Sequence, residues 1–212
     1  YGYNHSANLY IINIKGFVWF KLLLGILSIN AVICELFRIF AKKNKMIDFI
    51  TFCDYTGTFA FAISGIRLAS AKQFDWFGAY VVGVVTAVGG GTIRDILLNA
   101  VPFWMEQASY LIVSALALLF VIAFRKYVIR LNNTFFIFDA IGLGLFVVVG
   151  IAKTLDFGFP MWVAIVMGTI TGSFGGMMRD ILINEEPLIF RKDIYALACV
   201  FGGLIYYICM QT

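Results

Sequence analysis

Two arginine–aspartate pairs are the residues of this chain whose types and positions could do chemistry. Arg94 and Asp95 follow three glycines in "GGGTIRDILLNAVP", and Arg179 and Asp180 follow two glycines in "FGGMMRDILINEEP". Both pairs lie in strongly apolar segments, where a charged side chain is costly unless it is paired or hydrated. A cationic and an anionic group at such a position could together hold an ion or a zwitterion, so these segments are the candidate functional site.

The glycines before the two pairs weaken the helices that would carry them. Gly89, Gly90 and Gly91 precede the first pair, and Gly175 and Gly176 precede the second. Each glycine costs a helix about 1 kcal/mol relative to alanine. Small residues spaced by four allow helices to pack closely, but packing does not account for adjacent glycines. We therefore expect bends whose freed backbone carbonyls face a protein-lined or watery cavity.

The composition is that of a membrane protein. Of the 212 residues, 62% are hydrophobic and 13% are charged, whereas a soluble domain has roughly 25% charged residues. Several apolar windows run for about 18 to 25 residues, enough to cross roughly 30 Å of hydrocarbon. The hydrophilic segments between them are too short to form a soluble domain. We expect an all-α polytopic membrane protein with lipid around it.

Hydropathy predicts seven membrane helices joined by short loops. Their approximate bounds are 16–40, 49–70, 76–98, 107–124, 135–152, 160–183 and 193–210. Residues 1–45 would form an extra N-terminal helix and a basic loop. Residues 46–127 and 128–212 would each form a unit of three helices.

The second unit repeats the first at one constant offset, without a gap. Glycines, charges, an asparagine and a proline recur, and the matches include Asp54 with Asp139, Thr86 with Thr171, Arg94 with Arg179, Asp95 with Asp180, Asn99 with Asn184 and Pro102 with Pro187. We call this alignment the repeat register. Because each repeat (about 49–124 and 135–210) has three helices, successive copies enter the membrane from opposite faces. We therefore predict two inverted repeats with a pathway between them, as in transporters and some channels.

The polar residues of the repeats suggest several pairings. Adjacent side chains on a helix point about 100° apart, so each arginine is expected to pair across the repeats. Asp139 or Asp180 would bind Arg94, and Asp54 or Asp95 would bind Arg179. Alternatively, both pairs lie at helix ends and extend to the membrane surface. Asp54 and Asp139 begin the first helix of their repeats, where a carboxylate caps the helix or is stabilised by its dipole.

Several classes of function are disfavoured by the residues. The one histidine, His5, lies in the N-terminal tail and no nucleophile–base set is present, so an enzyme is not expected. "GGGTIRD" lacks the GK[ST] of a phosphate-binding loop. The four cysteines lack CxxC spacing, which argues against a metal or redox cofactor. The net charge of +4 comes from short loops and does not indicate nucleic-acid binding.

The distribution of Lys and Arg predicts the orientation of the helices from residue 46 onward. The loops at 66–75, 125–134 and 184–193 together hold seven basic residues, and the alternate loops hold only Lys153. The positive-inside rule then places those three loops in the cytoplasm. The basic run at residues 38–45 opposes this assignment, so the orientation of residues 1–45 stays open.

Four segments identify a family. "DYTGTFAFAISG", "GVVTAVGGGTIRDILL", "FDAIGLGLFVVVG" and "GTITGSFGGMMRDILI" resemble the prokaryotic relatives of the trimeric intracellular cation (TRIC) channels, many bacterial members of which are described as glycine transporters. The resemblance covers about residues 46 to 210. It implies a homotrimer in the bacterial inner membrane, with a hydrophilic, potassium-permeable pore between the repeats of each protomer.

The resemblance also implies which residues line the pore. Kinked helices would bring Gly89, Gly90 and Gly91 opposite Gly175 and Gly176, with Arg94, Asp95, Arg179 and Asp180 as the polar residues of the pore. Phe174 replaces a third glycine and would narrow one mouth. Thr86 and Thr171 would be supporting polar residues of the same helices.

Two functions other than a cation channel fit these residues to different degrees. A carrier of glycine or another small zwitterionic amino acid fits because an Arg–Asp pair supplies one cationic and one anionic group. A non-transporting scaffold fits poorly, because a scaffold needs no charge inside the membrane.

Overall fold

The computed structural model describes residues 43–125, 134–190 and 195–211. These residues form seven α-helices and one 3₁₀ turn, without β-strands. The all-α class predicted from the sequence is therefore confirmed for them. The helix expected at 16–40 lies outside the described residues.

Six of the α-helices coincide with the predicted spans from residue 49 onward. They are α1 (Lys43–Ala71), α2 (Trp76–Leu97), α4 (Ser109–Ala123), α5 (Thr134–Asp156), α6 (Met161–Leu182) and α7 (Tyr195–Gln211). Hydropathy did not predict the short helix α3 (Phe103–Glu106) or the 3₁₀ turn Leu188–Phe190. These two elements occupy equivalent positions in the two halves of the chain.

Four of the described helices are long and apolar enough to cross a membrane. They are α2, α6 and the segments Phe49–Ala71 of α1 and Phe136–Asp156 of α5, while α4 and α7 contribute shorter apolar stretches. The protein is therefore an integral membrane protein. The four long helices pack on one another, with α4 against α1 and α2, and α7 against α5 and α6.

The outward faces of α4 and α7 are apolar and exposed. Their side chains lie at helical spacing and include Ile112, Leu116 and Leu119 on α4 and Leu197, Phe201 and Leu204 on α7. The second set matches the first in the repeat register. Such surfaces are solvated by lipid or covered by another subunit.

Helices α1 and α5 make reciprocal contacts through glycine and phenylalanine. A Cβ atom on Gly57 would lie 3.2 Å from Cε1 of Phe146, and a Cβ atom on Gly142 would lie 2.4 Å from Cδ1 of Phe61. The centroids of the Phe61 and Phe146 rings are 5.1 Å apart. The repeat register converts each contact into the other, so the two halves present the same surface to each other.

Helices α2 and α6 cross at a second reciprocal contact, made by backbone. A Cβ atom on Gly90 would lie 2.0 Å from the carbonyl oxygen of Thr171, and a Cβ atom on Gly175 would lie 2.3 Å from the carbonyl oxygen of Thr86. Only glycine permits so close an approach at either position. We call this contact the glycine crossing.

Packing accounts for the neighbouring glycines as well, so the interpretation that it could not was wrong. A Cβ atom on Gly89 would lie 2.8 Å from Sδ of Met178, and one on Gly91 would lie 2.4 Å from Cε1 of Phe103. Three successive residues point in three directions around a helix, and each meets a different neighbour. Both helices are continuous through their glycines, and the freed carbonyls expected there are not observed.

The glycine crossing predicts a large effect of a small substitution. Gly90→Ala places a methyl group against backbone that no rotamer change can move, and we expect it to lower the stability by about 1–3 kcal/mol. This is the net loss, after the roughly 1 kcal/mol that alanine gains in helix propensity. The midpoint of thermal unfolding of the detergent-solubilised protein measures the difference.

Gly203→Ala on α7 is the matched control. Its new methyl group would lie 3.1 Å from Cγ2 of Ile165 and 3.3 Å from Cδ1 of Ile151, side-chain atoms that meet it near ordinary contact distance, rather than against backbone. We expect a small effect there. An unfolding midpoint for Gly90→Ala at or above that of the parent protein would contradict the packing assignment.

Candidate functional site

The two arginine–aspartate pairs lie at opposite ends of the helix bundle. Lys72 in the turn between α1 and α2 forms an ion pair of 2.5 Å with Glu185, just after α6. Because α2 begins at this end and α6 finishes there, Arg179 lies near it and Arg94 lies near the other. We call the two ends the Lys72 end and the Lys153 end.

At the Lys153 end, Arg94 binds the aspartate next to it. Nε and Nη2 of Arg94 are each 2.8 Å from Oδ1 of Asp95. The side chains are 1% and 0% exposed, respectively. This is a buried ion pair, whose charges are stabilised by each other rather than by water.

A lysine from the second half of the chain joins this cluster. Nζ of Lys153, on α5, lies 3.1 Å from Oδ1 and 3.2 Å from Oδ2 of Asp95. Arg94 and Lys153 also lie 5.7 Å and 5.9 Å from the ring centre of Phe103, within cation–π range. With 30% of its side chain exposed, Lys153 is the most accessible member of the cluster.

At the Lys72 end, Arg179 binds two carboxylates and a hydroxyl. Its Nε donates to Oδ1 of Asp180 at 2.8 Å, and its Nη1 donates to Oδ1 of Asp139 and to Oγ of Ser64 at 2.7 Å. Ser64 in turn donates to Asp139 at 3.2 Å. Ser64 comes from α1, so this cluster also joins the two halves of the chain.

The expected pairing of each arginine with an aspartate of the other repeat was wrong. Arg94 binds Asp95, and Arg179 binds Asp180 and Asp139, all within their own halves. The flexible arginine side chain can reach back around the helix to its neighbour, which an argument from direction alone overlooks. Within the two clusters, the contacts between halves come from Lys153 and Ser64, which have no counterpart of the same type in the repeat register.

Asp54 and Asp139 do not begin their helices, so their predicted capping role was also wrong. Helix α1 starts at Lys43 and α5 at Thr134, which places both aspartates inside helices. Asp54 accepts a hydrogen bond of 2.8 Å from the hydroxyl of Tyr110. Asp139 is 2% exposed and belongs to the Arg179 cluster.

The supporting threonines are buried in the glycine crossing. Thr86 and Thr171 are 0% and 1% exposed, and their hydroxyls donate to the carbonyls of Val82 at 2.6 Å and Met167 at 2.7 Å, one turn earlier. Phe174 is half-buried on α6, and Gly176 is buried. The glycines and threonines thus form the packed centre, and the charges lie beyond it on either side.

Each aspartate of the two pairs also has a backbone partner that the sequence did not suggest. Oδ2 of Asp95 accepts from the backbone N–H of Phe103 at 3.0 Å, and Oδ2 of Asp180 accepts from that of Leu188 at 3.0 Å. These residues begin α3 and the 3₁₀ turn. The aspartates therefore fix the chain that follows their helices. The recurring Pro102 and Pro187 could have indicated these two turns, because proline is favoured where a helical turn begins.

Asparagines end both helices in equivalent ways. Asn99 and Asn184 adopt left-handed φ values of 55° and 56°, and the following N–H groups bond back to the carbonyls of Asp95 and Asp180 at 2.8 Å. Asparagine tolerates this conformation better than other side chains do, which explains its recurrence in the repeat.

The Arg94 cluster predicts which of two substitutions lowers the stability of the protein more. Asp95→Asn keeps an acceptor for Phe103 but leaves the buried Arg94 without a carboxylate, and breaking such a buried pair costs about 3–5 kcal/mol. Lys153→Gln removes only the partly exposed cation and should cost clearly less. Thermal unfolding in detergent measures both variants, and equal losses would contradict the assignment of Asp95 as the counter-ion that Arg94 requires.

Comparison with known proteins places the chain in a family. The family model described as "Glycine transporter" matches residues 51–126 and 136–211, two stretches that begin at equivalent positions of the repeat register. The UPF0126 inner membrane protein YadS of Escherichia coli K12 is 43% identical over 155 residues, covering 72% of this chain and 75% of that protein. The UPF0126 membrane protein YvgT of Bacillus subtilis is 38% identical over 151 residues, with coverages of 70% and 75%.

Solved structures that match this fold include TRIC channels. The TRIC trimeric intracellular cation channel orthologue from Rhodobacter sphaeroides matches with a TM-score of 0.70 and 34% identity, over 77% of this chain and 86% of that one. A prokaryotic TRIC channel crystallised in 0.5 M KCl matches with a TM-score of 0.67 and 28% identity, over 78% and 98%. The resemblance inferred from the glycine and Arg–Asp motifs is thus confirmed, and the chain belongs to the glycine transporter family, with the fold of the prokaryotic TRIC channels.

Proposed function

We propose that the protein is a membrane channel for monovalent cations, potassium among them, with one pathway in each protomer of a homotrimer. The likeness to structures described as TRIC cation channels, at 34% and 35% identity over more than three quarters of the chain, supports this function. It also supports the trimer, because the Rhodobacter sphaeroides relative is described as trimeric.

The observation that carries the proposal is the pair of buried charge clusters at the two ends of the bundle. Charged side chains at membrane depth are rare and mark ion or substrate pathways by default. Each cluster joins helices of both halves, through Lys153 at one end and Ser64 at the other. We therefore place the pathway between the halves, bounded by α1, α2, α5 and α6, with a cluster at each mouth.

The glycines belong to the wall of this pathway in our proposal. The glycine crossing holds the backbones of α2 and α6 together, so an ion cannot pass between Gly90 and Thr171 while that contact persists. The reciprocal contacts of the two halves support an inverted relation between the repeats. The crossing then lies at the centre, with one charge cluster above it and one below it.

Carboxylates in the proposed pathway neutralise the positive charges of its arginines. Arg94 is bound by Asp95, and Arg179 by Asp139 and Asp180. Asp54 is held by a tyrosine hydroxyl and forms no ion pair within the described residues. Its carboxyl also interacts electrostatically with Arg94 and Lys153 and adds a second acidic group to the Lys153 end.

The alternative function is a carrier of glycine or a similar zwitterion, which the name of the family model favours. The cluster geometry argues against it. The guanidinium and the carboxylate of each pair bind each other at 2.8 Å. A zwitterion could use them only after that buried ion pair had separated.

The orientation proposed from the basic loops has one structural support. The Lys72–Glu185 ion pair brings the loops at 66–75 and 184–193 to the same end of the bundle. We propose that this end faces the cytoplasm of a bacterium, with the protein in the inner membrane, where the relative YadS is found.

Recording from purified protein in planar bilayers tests the function. We expect unitary potassium currents in symmetrical KCl, and no saturable uptake of radiolabelled glycine into proteoliposomes made from the same preparation. Saturable glycine uptake without unitary currents would overturn the channel and establish the carrier.

Lys153→Gln should raise the unitary potassium conductance. The substitution removes a partly exposed cation that lies against Asp95 at one mouth of the proposed pathway, and a more negative mouth concentrates cations. Lys153→Arg is the matched control, because it keeps a cation beside Asp95 at the same mouth. Equal conductance in both variants and the parent would show that the Lys153 end is not a mouth of the pathway.

A further inference from the structure

A cavity of about 320 Å³ lies at the Lys72 end, away from the residues of both charge clusters. It opens between the end of α1, the start of α2 and the last turns of α4. Its apolar lining includes Ile66, Ala79, Leu118, Val121 and Ile122, and its polar lining includes Ser70, Gln73, Asp75 and Arg125. One part can thus hold hydrocarbon while the other part holds charged groups.

Exposed aromatic residues locate the mouth of this cavity relative to the membrane. Phe74, Trp76 and Phe77 surround the start of α2 and are 40%, 64% and 72% exposed, and the first two line the cavity. Exposed tryptophan at the end of a membrane helix lies at the level of the lipid headgroups. The polar rim of the cavity therefore faces headgroups, and Leu118 and Ile122, the partly exposed residues of its apolar lining, face acyl chains.

We propose that this cavity binds an aminophospholipid of the adjacent leaflet. The ammonium group of the lipid pairs with Asp75, its phosphate pairs with Arg125, and part of an acyl chain covers the apolar lining. This site is independent of the ion pathway and of the function proposed above.

Both charged residues have groups available for such a ligand. Oδ1 of Asp75 accepts a hydrogen bond of 2.9 Å from the N–H of Gly78 as the N-cap of α2, which leaves Oδ2 for an ammonium group. Arg125 is exposed and has no ion pair within the described residues. Its planar guanidinium matches the geometry of a phosphate.

The pairing of opposite charges selects among membrane lipids. An anionic headgroup would be attracted by Arg125 but repelled by Asp75, and a choline group cannot donate hydrogen bonds to a carboxylate. Free glycine carries both charges but has nothing to cover the apolar lining. An aminophospholipid satisfies all three parts of the cavity.

The second half of the chain lacks the charges of this site. In the repeat register, Pro160 stands in place of Asp75 and Met210 in place of Arg125. The paired charges are therefore a feature of the first half alone, and not a consequence of the repeat that shapes the rest of the protein.

Native mass spectrometry of the delipidated, detergent-solubilised protein tests the proposal. The probes are phosphatidylethanolamine, phosphatidylcholine and phosphatidylglycerol with identical acyl chains. We expect half-saturation with phosphatidylethanolamine at a concentration at least about fivefold lower than with either of the others, a difference of about 1 kcal/mol. Equal affinities for the three lipids would overturn the proposal.

Substitutions test the roles in lipid binding that we assign to Asp75 and Arg125. Asp75→Asn preserves the N-cap, because asparagine caps helices as well as aspartate does, and should abolish the preference for ethanolamine over choline. Arg125→Gln should weaken the binding of all three lipids. Ile122→Trp, which fills the apolar part, should do the same. Lys72→Gln changes a cation at the same end that does not line the cavity, and should leave lipid binding unchanged.

Further results would overturn the proposal. Tighter binding of phosphatidylglycerol that Arg125→Gln abolishes would establish a site for anionic lipid. Displacement of phosphatidylethanolamine by millimolar glycine would establish a site for a small zwitterion. Retained ethanolamine preference in Asp75→Asn would remove the assigned role of the carboxylate.

Discussion

The arrangement of this protein depends on the contact between the backbones of α2 and α6 at Gly90 and Gly175. Without side chains at these two positions, each helix lies against a threonine carbonyl of the other. That contact sets the distance and crossing point of the two helices that carry the arginines. Because the helices end on opposite sides of the bundle, the crossing also determines that the two charge clusters lie apart, one at each end.

The charges are tolerable in this position because almost every group in the clusters has a partner. A membrane interior supplies no water to satisfy an isolated ion, so a buried arginine must be neutralised by the protein. Asp95 and Asp180 do this while also holding the first N–H group of the following turn. The same carboxylates thus neutralise a cation and fix a loop, which couples the electrostatics of each cluster to the chain that leads into α4 or α7.

Local patterns in the sequence were enough for the helices and for the repeat. Hydropathy located the six spans from residue 49 onward, and the recurring glycines and charges identified the two halves and the family. The partners of those residues could not be predicted in the same way. Gly90 meets Thr171 and Arg179 meets Ser64, contacts between residues far apart in the chain that no local pattern reveals. The glycine triplet could not be interpreted from local pattern for the same reason, because its neighbours Met178, Thr171 and Phe103 lie on α6 and α3, far from or outside the helix that carries the glycines.

The reciprocity of the two halves is broken at the residues that complete each cluster. Lys153 has Leu68 as its counterpart in the first half, and Ser64 has Val149 in the second. A cluster with an accessible cation at one end therefore faces a cluster closed by a neutral hydroxyl at the other. A fully symmetric duplicate could not distinguish the two sides of a membrane. These two differences, together with the charges of Asp75 and Arg125 that the second half lacks, make the two ends of the bundle chemically unequal, so an ion would meet a different order of charges from each side.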